Sequence, residues 1–488
     1  MILSKENLKN VGTSAVIVPE VSVFNLPEKV LQFGTGVLLR GLPDYFIDKA
    51  NRKGYFNGRV VVVKSTAGAT TEFDTQDNLY TLCIRGIEHG EIVEENVISS
   101  AISRVISADQ NWEVILEVAR NPELQVIVSN TTEVGIVLVR ESIAQHPPVS
   151  FPAKLLAVLL ERYKTFNGSA EAGVVVIATE LIPDNGKKLE AIVMELADHH
   201  QLDQSFKDWL AAEVNFCNSL VDRIVPGKPD QKTLEGLESQ LGYQDHLLSM
   251  VEPYRLWAIE GDEKVASKLE FRLADEGVIV AKDIERFREL KVRLLNGTHT
   301  LSCGIAVLAG IDTVKNGMKE ELLKNYITEL MQNEIAPAIP YEIALEESLA
   351  FSRVVLDRFA NPYIEHLWKS ITLQYSMKLK IRILPVLANY YALNAQVPPH
   401  MAFGFAAFLQ YMKSAVNDDQ AAYFTNQLEA LSEKAYAEGV LSDMAFWGTD
   451  LSQLPGFIAA VCNYYDLITE NGIRVALSAF KNLTLPSL

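Results

Sequence analysis

Cysteine is scarce in this chain, with four residues among 488 and no CxxC pair. Scattered cysteines in so long a chain are typical of reduced cytosolic thiols rather than of a disulfide scaffold. The sequence also lacks a convincing run of about 18 apolar residues, the length that crosses a bilayer. Its first residues have no signal-peptide pattern. We therefore expect a cytoplasmic protein with no membrane partner.

Positive charge is also in deficit, with 44 Lys and Arg residues against 62 Asp and Glu residues and a net charge of −18. Nucleic-acid partners need basic surfaces, so none is expected. A local basic pocket for a small anion stays compatible with this balance. Hydrophobic residues make up 48% and charged residues 22% of the chain, which indicates a globular protein with a large core. The length suggests two domains.

The chain changes character near residue 270. Before that point, short apolar β-branched runs alternate with helical patterns, and four of them are residues 30–33, 59–64, 125–129 and 173–178. Strands that are apolar throughout and separated by helices predict a parallel sheet covered on both faces. The predicted fold of residues 1–277 is therefore an α/β domain with a parallel-sheet core.

Segments with helical periodicity dominate the second half, for example 318–335, 400–415 and 417–438. Residues 278–488 are therefore predicted to form a mostly α-helical domain. Neither internal repeats nor a low-complexity tail interrupt either half.

A glycine-rich turn follows the first predicted strand. The sequence is Gly34-Thr35-Gly36-Val37. In dinucleotide-binding folds the first glycine permits a tight turn, and the second lets the backbone approach a pyrophosphate at a helix N-terminus. The match is imperfect because Leu39 occupies the third glycine position, and an ordinary turn could have the same pattern. Its place after the first strand favours the nucleotide interpretation.

The second predicted strand ends in Lys64-Ser65-Thr66 rather than in the usual acidic residue. An acid there binds ribose hydroxyls, whereas a lysine can accept a 2′-phosphate. On this basis alone NADP is favoured over NAD. An equally simple interpretation is that Lys64 leaves the sheet edge for water.

Lys291, Asn296 and His299 form the strongest candidate catalytic group. At about 100° per residue, an α-helix would place the three within an arc of roughly 140°. Lysine can exchange a hydroxyl proton, asparagine can donate to an oxygen that gains charge, and histidine can hold a substrate hydroxyl. The alternative is the solvated face of an amphipathic helix.

These motifs together resemble the mannitol dehydrogenase family, the long-chain polyol-specific dehydrogenases. The resemblance rests on residues 214–226, on the Lys-x4-Asn-x2-His pattern, on Glu252-Pro253-Tyr254 with Trp257, and on the glycine turn. It implies a Rossmann-type domain, a helical second domain, and hydride transfer between NAD(P) and a sugar alcohol or ketose. It also implies metal-independent chemistry, so no metal site is predicted.

Four further segments, 62–66, 77–82, 128–135 and 376–385, resemble the branch of that family that reduces the ketose acid D-tagaturonate. That branch carries the same lysine and uses NAD, so the resemblance ranks NAD above NADP. The close alternatives are reduction of fructuronate and oxidation of another polyol. The residues that the resemblance assigns to the cofactor are Gly34, Thr35, Gly36, Val37, Lys64, Ser65, Asn130 and Thr131.

A ketose acid carries a carboxylate, so its pocket should offer extra positive charge. Lys378, Lys380 and Arg382 alternate, and Lys378 and Arg382 share a face in a helix or a strand. Lys378 matches a substrate-contacting lysine of the family, and Arg382 or Lys380 could take the carboxylate. The alternative is a solvated basic stripe. His366 lies in a segment that also resembles the tagaturonate branch.

Asp222 is a further substrate-binding candidate because it lies in the family signature. It could equally pair with Arg223 or cap a helix. The second asparagine of the family's oxyanion site is replaced here by Leu181, so Asn296 alone, Thr179 or a water would stabilise the oxyanion. Two other functions stay open: an oxidative decarboxylase of the 6-phosphogluconate type, and a dinucleotide sensor without turnover. The expected partner is a small-molecule uronate, bound by a monomer or a small homo-oligomer.

Overall fold

The computed structural model describes residues 1–66, 68–131, 135–415 and 417–484. The chain forms two compact units. The first comprises Met1–Arg85 and Val93–Ile284, and the second comprises Gly86–Ile92 and the chain from Glu285 onward.

The strands of the described residues lie before residue 282. In chain order they are β1 Glu28–Phe33, β2 Arg59–Lys64, β3 Tyr80–Glu88, β4 Glu91–Ser99, β5 Ile102–Ser107, β6 Val126–Ser129, β7 Val175–Ala178, β8 Asn215–Cys217, β9 Ser219–Asp222, β10 Ser249–Val251, β11 Leu256–Glu260 and β12 Val278–Ala281.

The central sheet of the first unit has the order β5-β2-β1-β6-β7-β8, and its neighbouring strands are parallel. Alternate residues of one strand enter two different cores: Val60 and Val62 pack on one face, and Val61 and Val63 pack on the other. Both faces are covered, which explains why these strands are apolar throughout. The predicted parallel sheet is confirmed. Two smaller sheets, β10-β3-β4 and β12-β11-β9, complete the unit.

The α-helices of the first unit cover and connect its strands. They are α1 Val37–Gly41, α2 Pro43–Arg52, α3 Thr71–Thr75, α4 Trp112–Ala119, α5 Phe151–Thr165, α6 Asn185–His199, α7 Gln204–Glu213, α8 Gln231–Leu241 and α9 Glu263–Lys268.

The second unit is helical beyond residue 285, as predicted. Its helices are α10 Glu285–Leu290, the π-helix π1 Lys291–Gly297, α11 Thr298–Leu308, α12 Val314–Gly317, α13 Glu321–Glu329, the π-helix π2 Leu330–Ile335, α14 Leu345–Ala360, α15 Trp368–Ile371, α16 Tyr375–Arg382, α17 Leu384–Leu393, α18 Pro399–Met412, α19 Ala421–Ala430, α20 Glu433–Leu441, α21 Met444–Trp447, α22 Phe457–Asn471 and α23 Ile473–Thr484.

One predicted helical segment is divided. The periodicity of 417–438 continues through two helices, α19 and α20, but Leu431 between them has extended backbone angles. The core of this unit surrounds α18, whose residues 401–409 are almost entirely buried. Within the described residues, no helix combines the length and hydropathy needed to span a bilayer.

Candidate functional site

The glycine turn, Gly34–Gly36, lies where the strand order of the central sheet changes direction. β1 has β2 on one side and β6 on the other. The Gly34 N–H donates to the Val63 carbonyl at 3.0 Å, and the Asn130 N–H donates to the Phe33 carbonyl at 3.2 Å. The carboxyl ends of β1, β2 and β6 therefore meet at this turn. In open α/β sheets ligands bind at such a switch point.

The glycines of this turn have different roles. Gly34 has φ +130°, and a Cβ on it would lie 2.9 Å from Leu39 Cδ1 and 3.1 Å from the Asn130 carbonyl oxygen. A side chain is excluded there by both the backbone angle and the close neighbours. A Cβ on Gly36 would meet no atom within 4 Å, so its backbone stays open to a ligand. These features fit the cradle of a dinucleotide pyrophosphate.

Thr131 is held in place by a buried carboxylate that was not identified from the sequence, and Asn130 is held by the neighbouring Thr179. Glu180 is 2% exposed, and its Oε1 accepts from the Thr131 N–H at 2.8 Å and from the Thr131 hydroxyl at 3.0 Å. The Asn130 amide donates to Thr179 Oγ1 at 3.0 Å. Thr179 in turn donates to the Ser129 carbonyl. This network fixes the edge of the turn.

A cavity of about 400 Å³ lies beside the turn and is lined by Thr35, Lys64 and Glu72 among others. The Lys64 ammonium donates to the Ala69 carbonyl at 2.8 Å, so it is tied to its own loop. Ser65 is exposed. Arg40 also lines the cavity, but its guanidinium donates to the Leu247 carbonyl at 2.6 Å.

A buried acid lies beneath the glycine turn. The Gln32 amide donates both to the Gly34 carbonyl at 3.3 Å and to Asp44 Oδ2 at 3.2 Å. Burial raises the pKa of Asp44 to about 7, although the Gln32 hydrogen bond and the charge of Arg40 lower it. The neutral acid is therefore favoured in the folded state at mildly acidic pH.

Asp44→Asn is expected to stabilise the protein at pH 8 and to have much less effect near pH 4. The carboxyl ionises near 3.8 when unfolded and near 7 when folded. Its contribution to stability is thus fully present below about pH 4 and is lost as pH rises to about 7, at roughly 1.4 kcal/mol per pH unit. Denaturant unfolding of the wild type and the variant at about pH 4, 5.5, 7 and 8 measures this dependence. Asp109→Asn, at an exposed position, is the control, and an equal pH response of both variants would contradict the assignment.

In the second unit, Lys291 and Asn296 lie on π1 rather than on an α-helix. Hydrogen bonds in a π-helix link residues five positions apart. Lys291 and Asn296 are five positions apart, so they lie about one turn above each other on one face. An α-helix would have separated them by about 140°. Both side chains are half-buried.

His299 follows in the first turn of α11 and is buried among aromatic rings. Its ring stacks on Phe359 at 4.0 Å between centroids and meets His366 edge-on at 5.1 Å and Trp368 at 5.7 Å. Burial, followed by the nearby charges of His366 and Arg382, holds the pKa of His299 well below its usual value. The imidazole is therefore neutral at neutral pH, and in this form it can donate or accept a hydrogen bond.

Two cations on α16 lie beside this histidine. The Lys378 ammonium donates to the Ile371 carbonyl at 3.0 Å, and the Arg382 guanidinium donates to Thr300 Oγ1 at 3.1 Å and to the Asn296 carbonyl at 3.4 Å. Burial lowers the pKa of both groups. Lys380 instead lies over the ring of Phe446, 3.7 Å from its centroid.

Arg293 fastens α16 to π1 and was not identified from the sequence. It forms a two-point ion pair with Glu289. Its remaining nitrogen donates to the Ile381 carbonyl at 2.6 Å and to the Arg382 carbonyl at 3.0 Å. Gly297 assists this approach, since a Cβ there would lie 3.1 Å from Ile383 Cδ1. Arg382 is thereby positioned beside Asn296.

The other candidate residues from the sequence lie on several different elements. Asp222 ends β9 in the first unit and is buried. Leu181 is 62% exposed. The Thr179 hydroxyl accepts from the Asn130 amide and donates to the Ser129 carbonyl. His366 is half-buried beside His299. Arg358, a buried residue that the sequence interpretation passed over, contributes positive charge at His299.

The described residues contain no group of three or more His, Cys, Asp and Glu side chains arranged to hold a metal ion.

Comparison with known proteins identifies both halves of the chain. Residues 28–273 match the mannitol dehydrogenase Rossmann domain, and residues 283–469 match the mannitol dehydrogenase C-terminal domain. Altronate oxidoreductase of Halalkalibacterium halodurans is 36% identical over 485 residues, covering 94% of this chain and 94% of that protein. Altronate oxidoreductase of Bacillus subtilis is 37% identical over 462 residues, covering 93% and 95%.

Among solved structures, Pseudomonas fluorescens mannitol 2-dehydrogenase, in a ternary complex with NAD and D-mannitol, has a similar fold. The TM-score is 0.67 at 21% identity, and the match covers 99% of this chain and 100% of the other. This likeness concerns the fold alone.

Proposed function

This chain belongs to the mannitol dehydrogenase family and is an oxidoreductase acting on CH–OH groups, and from that premise we propose that it interconverts D-tagaturonate and D-altronate with NAD(H). The ketone of the acid is reduced to a secondary alcohol, and the reverse reaction oxidises that alcohol. Two relatives that match nearly the whole chain are altronate oxidoreductases, which supports this choice of substrate.

The observation that carries the proposal is the unbalanced positive charge on α16. Among the described residues, neither Lys378 nor Arg382 forms an ion pair with a carboxylate, and the Asp418 carboxylate that acts on Lys378 is itself bound to Ser376. Half-buried cations without counter-ions are costly unless a ligand supplies the negative charge. A substrate carboxylate does so, and the arginine fork can bind it through two parallel hydrogen bonds. A neutral polyol gives these groups no partner.

The proton chemistry is assigned to π1. In the reductive direction the Lys291 ammonium donates a proton to the oxygen of the former ketone, and in the oxidative direction the amine takes it back. The Asn296 amide, which has no hydrogen-bond partner among the described residues, donates to the same oxygen as negative charge develops. Neutral His299 binds a neighbouring hydroxyl through Nε2, a buried atom with no partner.

The cofactor, when bound, supplies and accepts the hydride. The turn Gly34–Gly36 with Val37 would hold its pyrophosphate, and Asn130 and Thr131 would border it. For the adenosine ribose we propose NAD rather than NADP, because the Lys64 ammonium is already tied to Ala69 and the carboxylate of Glu72 lines the same cavity. A 2′-phosphate would meet like charge there.

A direct assay tests the proposal: NADH and NADPH oxidation by the full chain with tagaturonate, fructuronate and fructose. We expect kcat/KM with NADH and tagaturonate to exceed that with fructose by at least about 10²-fold. Fructose has no carboxylate, so the charge-assisted hydrogen bond is lost and the cation is left without a partner, which together cost roughly 3 kcal/mol. Fructuronate, which keeps the carboxylate, should fall between them. Equal turnover of fructose and tagaturonate would overturn the carboxylate assignment, and a preference for NADPH would overturn the ribose assignment. Release of carbon dioxide would indicate an oxidative decarboxylase instead.

A further inference from the structure

The second unit contains a cavity of about 670 Å³ that none of the steps above uses. Its walls come from α13, π2, α17, α18, α22 and α23. Cavities of this size hold small-molecule ligands. Aromatic rings form much of the lining, among them Tyr326 and Phe480, and polar groups converge between them.

The buried carboxylate in this cavity has hydrogen-bond partners within the protein. Glu334 on π2 is 2% exposed, and His400 at the start of α18 is 7% exposed. Glu334 Oε1 accepts from the His400 N–H and lies 2.7 Å from His400 Nδ1, while Oε2 accepts from the Met401 N–H at 2.8 Å. The carboxylate therefore caps the N-terminus of α18 and fixes the His400 ring. It leaves Nε2 as the ring atom that can bind a ligand.

The cavity lining also presents polar groups that can bind a ligand. Among the described residues, His400 Nε2, the hydroxyls of Tyr390 and Tyr464, and the amide of Asn325 have no hydrogen-bond partner. Burial, together with the charge of Glu334, raises the pKa of both tyrosines, so their hydroxyls stay protonated. Each of these groups can form a hydrogen bond with a ligand group that both donates and accepts hydrogen bonds.

We propose that this cavity is a second binding site, for a neutral polyhydroxylated ligand of the sugar class. Hydroxyl groups match every unpartnered atom, since a hydroxyl can donate to or accept from His400 Nε2 and can take either role toward a tyrosine hydroxyl. The apolar faces of a sugar ring can pack on Tyr326 and Phe480. Anions are disfavoured by the carboxylates of Glu329 and Glu334, which line the same space. A purely apolar ligand would leave four polar groups without partners.

The site differs in charge from the cluster around His299. There, cations that form no ion pair with a carboxylate among the described residues select an anion. Here, the charged groups have partners: Glu334 binds His400, the Glu329 carboxylate accepts from Asn333, and Lys481 pairs with Glu321 at 3.0 Å. The two sites are therefore expected to bind different ligands.

Binding of D-glucose and maltose to the full chain, measured by calorimetry and saturation-transfer NMR, tests the proposal, with D-glucuronate and p-xylene as the anionic and apolar comparisons. We expect at least one neutral sugar to bind more tightly than both comparisons. Tyr390→Phe combined with Tyr464→Phe keeps both rings and removes both hydroxyls, so it should weaken that binding by about tenfold or more. Asn325→Ala should weaken it as well.

Tyr391→Phe is the matched control, because the Tyr391 hydroxyl donates to the Pro455 carbonyl at 3.1 Å and does not line the cavity. It should leave binding unchanged. Unchanged Tm values would show that the variants fold. The proposal is overturned if neither sugar binds, if glucuronate or p-xylene binds more tightly, or if the double variant binds as the wild type does. Since these outcomes do not involve turnover, they are independent of the reductase proposal.

Discussion

Lys291→Ala should lower kcat for tagaturonate reduction by more than about 10²-fold while the affinity for NADH stays within about twofold. General acid catalysis by a positioned side chain contributes roughly 10²–10⁴-fold. The glycine turn and its supporting residues lie in the first unit, so a truncation on π1 leaves them intact. A loss in kcat without a loss of cofactor affinity therefore assigns Lys291 to the proton-transfer step.

Two further measurements sharpen this test. Added small primary amines should restore part of the activity, because they can enter the space left by the side chain. Lys282→Ala removes an exposed lysine nearby in sequence and should keep wild-type rates. Near-normal turnover by Lys291→Ala would reject the acid–base role.

Arg382→Gln should raise KM for tagaturonate by about 10- to 100-fold and change KM for fructose much less. Hydrogen bonds between charged groups contribute roughly 1.5–3 kcal/mol, and each 1.4 kcal/mol is a factor of ten. Arg382→Lys keeps the charge but not the two-point geometry, so its KM should be intermediate. Steady-state kinetics with both substrates provide the measurement.

The same helix offers the matched control. Lys380 has its ammonium over the ring of Phe446 rather than beside Asn296, so Lys380→Gln should leave the ratio of the two KM values unchanged. If Arg382→Gln raised both KM values equally, Arg382 would be supporting π1 through its contacts with Thr300 and Asn296 and not binding the carboxylate.

Much of the first unit follows from local patterns. Strand β2 has the predicted bounds because four consecutive valines leave no polar face, and a strand buried on both faces needs none. The glycine turn was found because Gly34 needs a backbone angle that other residues rarely adopt. Glu180 was missed because its partners Ser129 and Thr131 are about fifty residues away in sequence.

The second unit was predicted less completely. Periodicity identified its helices, but it did not reveal the break at Leu431 or the two π-helices. A π-helix costs backbone hydrogen-bond geometry and is tolerated where packing compensates. The hydrogen bond from Arg293 on π1 to the Ile381 carbonyl near the end of α16 is one such packing contact, and the two residues are 88 positions apart in the sequence.

The sequence by itself determined the fold class, the family and the identity of the chemical groups, because apolar periodicity, glycine geometry and side-chain chemistry are local properties. Only the tertiary structure decided how those groups are arranged. It placed Lys291 and Asn296 on one face of π1, directed Arg382 toward Asn296 and Lys380 toward Phe446, and joined Glu334 to His400 in a separate cavity. Each of these arrangements depends on packing between residues that are distant in the chain. A local sequence pattern does not specify which distant residue a side chain will contact.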